Sequence, residues 1–316
     1  MFAPGDKILF IFSDPGGAKP LLAFIKINAL ENYKVISDRV YPFYENFGII
    51  VHPYKGNACV EVDEYKPDRV FTATSYRSNI EREFLVCAKE RNIPCIAYID
   101  HWTNIGERLM LSNNSCVYPD KVWVLDERAK QIALKDGLWE KRLHISGNPY
   151  HEWLKQWKPT VRKEEFLLSL GICNAGTKLL LFVPDPLTNI NGFGKFGYDE
   201  ITATKELCEL KSQKPELFED WKILVKPHPN QDIAVLKEMV KNRKRFIFAD
   251  PAIDTNTCIY HSSLVLGFHS SALIEAKVLN RPVVRYIPSE KGIDPLKEEN
   301  VGSIITSFTE LENFMK

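Results

Sequence analysis

Charge of one sign is missing from this chain: 41 lysines and arginines balance 41 aspartates and glutamates, a formal net charge of zero over 316 residues. Without a global field, a main role in binding nucleic acid is disfavoured. No run of eighteen consecutive apolar residues occurs, and the opening residues carry no basic stretch ahead of a long apolar core. Neither a membrane span nor a secretory signal is therefore expected, and a cytoplasmic location follows, with peripheral contact at the inner face of a membrane left open. Cysteines number seven, at positions 59, 87, 95, 116, 173, 208 and 258, with no C-x-x-C spacing. An odd number, with several inside apolar runs, reads as reduced core thiols rather than a disulfide or zinc framework. There is no Asp-x-Asp pair to hold a phosphate-bound metal, and the seven histidines show no close ligand spacing. Metal-independent chemistry without a cofactor is expected.

What is present is a pattern of short apolar runs separated by helical segments. With 45% hydrophobic residues in 316, two domains of ordinary size are favoured over one. Strand-like runs lie at 7–12, 69–73, 94–99, 121–125 and 142–145, and again at 178–183, 221–225, 245–249 and 263–267. Apolar strands alternating with helices indicate parallel sheets covered on both faces. Ser78 to Glu81 and Ser307 to Glu310 have the spacing of capping boxes. The expected division is a first domain at 1–155, a linker rich in charge and aromatics at 156–177, and a second domain at 178–316. Residues 189–200 mix glycine with aromatics and suit a loop that closes over a substrate.

Two segments carry the strongest chemical signal. In Lys226-Pro227-His228-Pro229 the prolines end a buried strand, which puts His228 at its carboxyl end. In His269-Ser270-Ser271, the hydroxyls open a helix whose free N–H groups suit a phosphate. Helix capping explains one serine but not both. Glu275 lies one turn beyond Ser271 on the same face. In the first half, Asp14 sits in the loop after the first strand, with Gly16 and Gly17 able to let backbone approach a ligand. Asp100 and His101 end another strand, and Thr74, Ser75 and Arg77 occupy an equivalent loop. Asp185, after the first strand of the second half, lies in Pro184-Asp185-Pro186, which is equally a plain turn.

Several of these residues resemble the GT-B glycosyltransferase superfamily. Ser146-Gly147-Asn148-Pro149 is similar to the Gly-Asn-Pro of the lipid-linked N-acetylglucosaminyltransferase of peptidoglycan synthesis and, less closely, of UDP-N-acetylglucosamine 2-epimerases. The His-Pro and Ser-Ser motifs look like those of bacterial sialyltransferases, capsule Kdo-transferases and teichoic-acid glycerophosphotransferases. The stretch from Glu275 to Val284 resembles the one in which a GT-B glutamate binds donor ribose. The resemblance implies an α/β fold of GT-B type, two Rossmann-like doubly wound domains facing across a cleft. It also implies a catalytic base in the first domain and a donor site in the second. The Asp/Glu-Asp/Glu-Gly motif of the sialyltransferases is absent, which puts a sialyl donor in doubt and leaves Asp14 assigned by position alone.

The resulting expectation is an inverting glycosyltransferase of bacterial surface-polysaccharide synthesis. Its partners would be an activated sugar donor, either a nucleotide sugar or phosphoribosyl diphosphate, and a glycan or glycolipid acceptor. Asp14 is the expected base, with Asp100 and His101 as the second choice. Lys226, His228, Ser270 and Ser271 are assigned to donor phosphate, and Glu275 and Asp185 to donor ribose or sugar. Gly16, Gly17, Thr74, Ser75 and Arg77 are assigned to acceptor or sugar. Two alternatives stand beside it: an epimerase or hydrolase of nucleotide sugars, which needs no separate acceptor, and a non-catalytic binding protein of the same fold.

Overall fold

The computed structural model describes residues 5–75, 78–111, 115–228, 231–241 and 243–316. The chain divides into two compact units, Met1–Gln156 and Trp157–Lys316.

In the first unit the strands are β1 (Ile8–Phe12), β2 (Tyr33–Ser37), β3 (Val51–Pro53), β4 (Arg69–Thr72), β5 (Cys95–Ile99), β6 (Lys121–Val124) and β7 (Leu143–Ile145). The helices are α1 (Pro15–Ile27), α2 (Ala58–Tyr65), α3 (Ile80–Glu90), α4 (Glu127–Lys135) and α5 (Pro149–Leu154). Among the described residues the sheet is parallel throughout, in the order β3-β2-β1-β4-β5-β6-β7. A strand buried on both faces loses the polar alternation of an exposed one, and β1 is buried at all five positions. Its side chains still alternate in direction. Leu9 and Ile11 join the core formed with Val62 of α2, Phe84 of α3 and Ala129 of α4. Phe10 packs against Phe24 of α1 and Phe71 of β4. Each such side chain taken out of water contributes about 1.5–3 kcal/mol.

The second unit begins with α6 (Lys163–Ser169), whose Phe166 and Leu167 are buried. Residues 156–177, expected as a linker, thus contain a helix with its own buried face. The strands that follow are β8 (Lys178–Val183), β9 (Trp221–Val225), β10 (Phe246–Phe248), β11 (Leu264–Gly267), β12 (Val283–Tyr286) and β13 (Ser303–Ile305). The helices are α7 (Gly192–Phe196), α8 (Glu200–Gln213), α9 (Ala234–Val240), α10 (Thr255–His261), α11 (Ser271–Val278) and α12 (Glu312–Met315). The described sheet, again parallel, runs β10-β9-β8-β11-β12-β13. Leu180 and Phe182 of β8 pack with Leu207 of α8, Phe218 and Leu311.

Strand order reverses in both sheets. The chain builds outward from β1 through β2 to β3 and then returns to the other side of β1 with β4; it does the same from β8 through β9 and β10 before returning with β11. Such a switch point separates two neighbouring strand-end loops and leaves a crevice outside the carboxyl ends of the strands. The segment at 189–200 departs from the expected open loop. It folds into a 3-10 turn and α7, and Tyr198 is buried at 2% exposure.

Candidate functional site

At the switch point of the first unit, β1 runs into Ser13-Asp14, and Pro15 starts α1 with a backbone already suited to a first helical position. The two glycines that follow admit protein rather than ligand. A Cβ on Gly17 would strike the Cβ of Ala73, and one on Gly16 would strike the Asp100 carboxylate. The glycines therefore bring the first turn of α1 down onto the ends of β4 and β5, which corrects their expected role. Asp14 makes no side-chain cap bond to its helix and pairs instead with Arg39 Nη1 at 3.2 Å. Its N–H donates to Ser75 Oγ at 3.3 Å.

Thr74 and Ser75 are buried and work as scaffold. Thr74 Oγ1 donates to the carbonyl of Tyr98 at 3.3 Å, and Ser75 Oγ donates to Glu81 Oε1. Their expected contact with acceptor or sugar is corrected accordingly, and Arg77 lies outside the described residues. Glu81 also accepts the N–H of Ser13 at 2.9 Å. Burial pushes its carboxyl up to about 7 against the donors from Ser75 and Ser13. The capping box expected at Ser78 to Glu81 does not form: Asn79 is the residue before α3, and Glu81 turns inward to the strand ends.

Asp100, at the end of β5, accepts from Arg108 Nη1 at 2.9 Å. Burial raises its pKa, opposed by the positive charge of Arg108 and by His101. A carboxyl in that balance holds its proton to higher pH than an exposed one. The His101 ring faces Thr103, whose N–H donates to Nδ1 at 3.2 Å, so the imidazole proton resides on Nε2. Burial lowers its pKa while Asp100 opposes that shift.

In the second unit, three neighbouring strands β9, β8 and β11 end in Lys226-Pro227-His228, Pro184-Asp185 and Phe268-His269-Ser270 respectively. His228 is exposed, with its pKa lowered by the protein packed around it, and its N–H donates to Gln231 Oε1 at 3.2 Å. Ser270 is the N-cap of α11, its Oγ accepting the Ala272 N–H at 3.3 Å. Ser271 is exposed at the first helical position. The hydroxyls thus divide their work, one closing the helix and one facing solvent at its positive end.

Two assignments change here. Lys226 Nζ donates to the carbonyls of Asp250, Pro251 and Ile253 at 3.0, 3.2 and 2.6 Å. It clasps the loop after β10 and is corrected from a phosphate ligand to a structural cation. Asp185 is half-buried, and its Oδ2 accepts the N–H of His269 at 2.8 Å. Burial pushes its pKa up to about 6 despite that bond. Its carboxylate therefore organises the start of α11, rather than facing a donor sugar. Glu275 is buried, at 6% exposure, on α11.

No family model and no curated protein matches the sequence. Solved structures do match in fold. The UDP-N-acetylglucosamine 2-epimerase of Methanocaldococcus jannaschii aligns at 15% identity and a TM-score of 0.66, over 98% of this chain and 91% of its own. The Neisseria meningitidis enzyme of the same kind, bound to UDP-GlcNAc, aligns at 14% and 0.65 over 97% and 91%. MnaA of S. aureus, solved with UDP, aligns at 14% and 0.65 over 98% and 86%. The fold is that of the UDP-N-acetylglucosamine 2-epimerases. The expected pair of Rossmann-like α/β domains is thereby the observed architecture. The expected glycosyl transfer to a glycan acceptor is not sustained. The solved structures that share the fold over nearly the whole chain are epimerases of nucleotide sugars.

Within the epimerase fold, several polar residues at the strand ends had no separate signal in the sequence. Arg39, Glu81 and Arg108 hold the loops of the first unit. Lys19, in α1, places its Nζ 4.9 Å from the centre of the Tyr150 ring. In the second unit the Tyr198 hydroxyl meets His269 Nε2 at 2.8 Å, and Asp294 stands 3.4 Å from Nδ1 while pairing with the buried Arg285. Only long-range pairing distinguishes these groups from ordinary surface charges. Among the described residues no cluster of three His, Cys, Asp or Glu is placed to hold a metal ion. None of their helices is long and apolar enough to cross a membrane.

Proposed function

We propose that this chain is an enzyme that epimerises or hydrolyses a nucleotide sugar without a separate acceptor. The observation that carries the reading is the arrangement at the switch point of the second sheet. His228 follows β9, and the exposed Ser271 opens α11 after β11, one strand away on either side of β8. The exposed Ser271 hydroxyl and the positive end of α11 favour a diphosphate there, and they stabilise it further as it takes on leaving-group charge. The likeness to epimerases solved with UDP or UDP-GlcNAc supports a nucleotide diphosphate as the bound group.

Inverting a carbon of the sugar requires a group that removes a proton and one that returns it. Asp100 is the leading candidate, since burial lifts its pKa while Arg108 keeps its charged form accessible. Asp14, ion-paired with Arg39, is the second carboxylate of the first unit. His228 and Ser271 are assigned to the diphosphate, with Ser270 and Asp185 shaping the helix start that receives it.

The test is incubation of the enzyme with UDP-GlcNAc in deuterium oxide, followed by proton NMR. Turnover appears as the signals of a second epimer, as deuterium entering the sugar ring, or as free UDP, all without added glycan. Asp100→Asn should lower the rate at least a hundredfold with little change in binding, whereas His228→Ala with Ser271→Ala should weaken binding itself. Unchanged substrate at high enzyme concentration, together with no binding of UDP, would sink the proposal.

A further inference from the structure

A cavity of about 420 Å³ opens at the opposite edge of the second sheet, beside the starts of β11 and β12 and the start of α6. Ser263 precedes β11 and Arg281 lies just before β12, so this is the amino-terminal edge. Four residues of β11 separate it from Ser270 and Ser271, roughly 13 Å of strand at 3.3 Å per residue. It is a different place from the strand-end loops already described.

The lining is strongly cationic in a chain with no net charge. Lys158, Arg162, Lys163 and Arg281 line it against a single acid, Glu164. Arg162 is partly neutralised, since its guanidinium pairs with Glu165 at 2.8 Å. Lys158, Lys163 and Arg281 provide the remaining positive charge. Like charges gathered on one concave surface repel one another, and a bound anion converts that cost into attraction.

Arg281 is the most telling residue of the group. Its guanidinium lies over the Tyr260 ring, 4.8 Å from the centroid, which holds the plane of the fork in place. Its Nε is buried and has no hydrogen-bond acceptor in the structure. A buried donor without a partner costs about 1–3 kcal/mol, so the side chain keeps unused hydrogen-bonding capacity beside the cavity it lines. The neighbouring His261 makes no hydrogen bond to this Nε. It is buried, stacked on Phe166, and its Nε2 donates to the carbonyl of Val161 at 2.9 Å. Burial lowers the His261 pKa against the bond to Val161, and the charges of Arg281 and Lys163 lower it further while Glu164 opposes them.

We infer that this cavity binds a small phosphomonoester, with Arg281, Lys163 and Lys158 meeting the phosphate. A dianion matches the excess of cations better than a monocarboxylate, and a planar guanidinium presents two parallel donors to phosphate oxygens. The volume accommodates one sugar phosphate rather than a polymer.

The experiment is a thermal-shift and calorimetric titration with glucose 1-phosphate, and separately with inorganic phosphate, each against sodium chloride at matched ionic strength. A His228→Ala/Ser271→Ala background removes the diphosphate loops from consideration. The expected result is saturable stabilisation by glucose 1-phosphate in both the wild type and that background, lost in Lys163→Gln/Arg281→Gln. Because Arg281 also packs on Tyr260, Lys158→Gln/Lys163→Gln serves as a variant that changes charge alone, and its Kd should rise at least tenfold. The inference is overturned if sodium chloride gives the same shift, if neither phosphate gives one, if both charge variants bind as the wild type does, or if binding disappears in the His228→Ala/Ser271→Ala background.

Discussion

At the scale of single residues, the adjacent glycines of α1 separate a packing role from a functional one. A methyl at position 17 meets the Cβ of Ala73. Both atoms are fixed to backbone, so neither can rotate away, and overpacking of this kind costs about 1–3 kcal/mol. A methyl at position 16 meets the Asp100 carboxylate instead, the end of a side chain that can turn if it gives up its 2.9 Å bond to Arg108. Gly17→Ala should therefore lower the urea midpoint more than Gly16→Ala, while Gly16→Ala should lose turnover on the scale of Asp100→Asn. Full activity in Gly16→Ala would show that the placement of Asp100 is immaterial. The sequence makes the two glycines visible but not what they approach. Glu81 illustrates the same difficulty. Its spacing from Ser78 suits a local capping box, yet its acceptor oxygen is used by Ser13, 68 positions earlier. Local pattern carries no record of a partner so distant.

At the scale of elements, the strands were the legible part, because a parallel strand buried on both faces must be an unbroken apolar run. β1 follows that rule throughout, β8 after Lys178 and β9 after Lys222, and their ends fall where proline or polar residues begin. What was not legible is how loops are held, and Lys226 is the clearest case. A lysine at a strand end next to a His-Pro motif reads as a ligand for phosphate, but its three carbonyl acceptors belong to the segment between β10 and α10. Replacing it with methionine keeps the length and leaves three carbonyls without their cation. Lys226→Met should destabilise the protein by about 2–3 kcal/mol, a loss comparable to other charged hydrogen bonds. Hydrogen exchange should show the loosening first at residues 250–254, while the Kd for nucleotide changes little among molecules still folded. A large rise in Kd with unchanged stability would restore the phosphate role.

At the scale of the whole molecule, zero net charge hides proton equilibria that pull in opposite directions. Burial raises the carboxyls of Glu81 and Asp185 from 4.5 to about 7 and from 3.8 to about 6, and it raises Asp100 as well. Burial lowers the imidazole of His151 from 6.5 to about 4, and it lowers His101, His228, His261 and His269 in the same direction. Between the unfolded and folded values of a raised carboxyl, the native state holds a proton that the unfolded chain has released. Stability from that group is complete below the lower value and is lost as the pH rises through the higher one. For a lowered histidine the unfolded chain holds the extra proton, so stability is gained with rising pH and lost on acidification through the folded value. The two sets offset each other, and the wild-type profile is flatter than either set alone would make it. Glu81→Gln removes one side of this balance. Relative to the wild type, its urea midpoint should rise steadily from pH 4.5 to 7 and level off above, with a total change on the order of 3 kcal/mol for a shift of this size. Asp185→Asn should show the same sign over a window about one pH unit lower. Parallel profiles for wild type and Glu81→Gln would mean that Glu81 is charged in the folded protein, and the inward-facing carboxyl would then require a cation that now stands elsewhere.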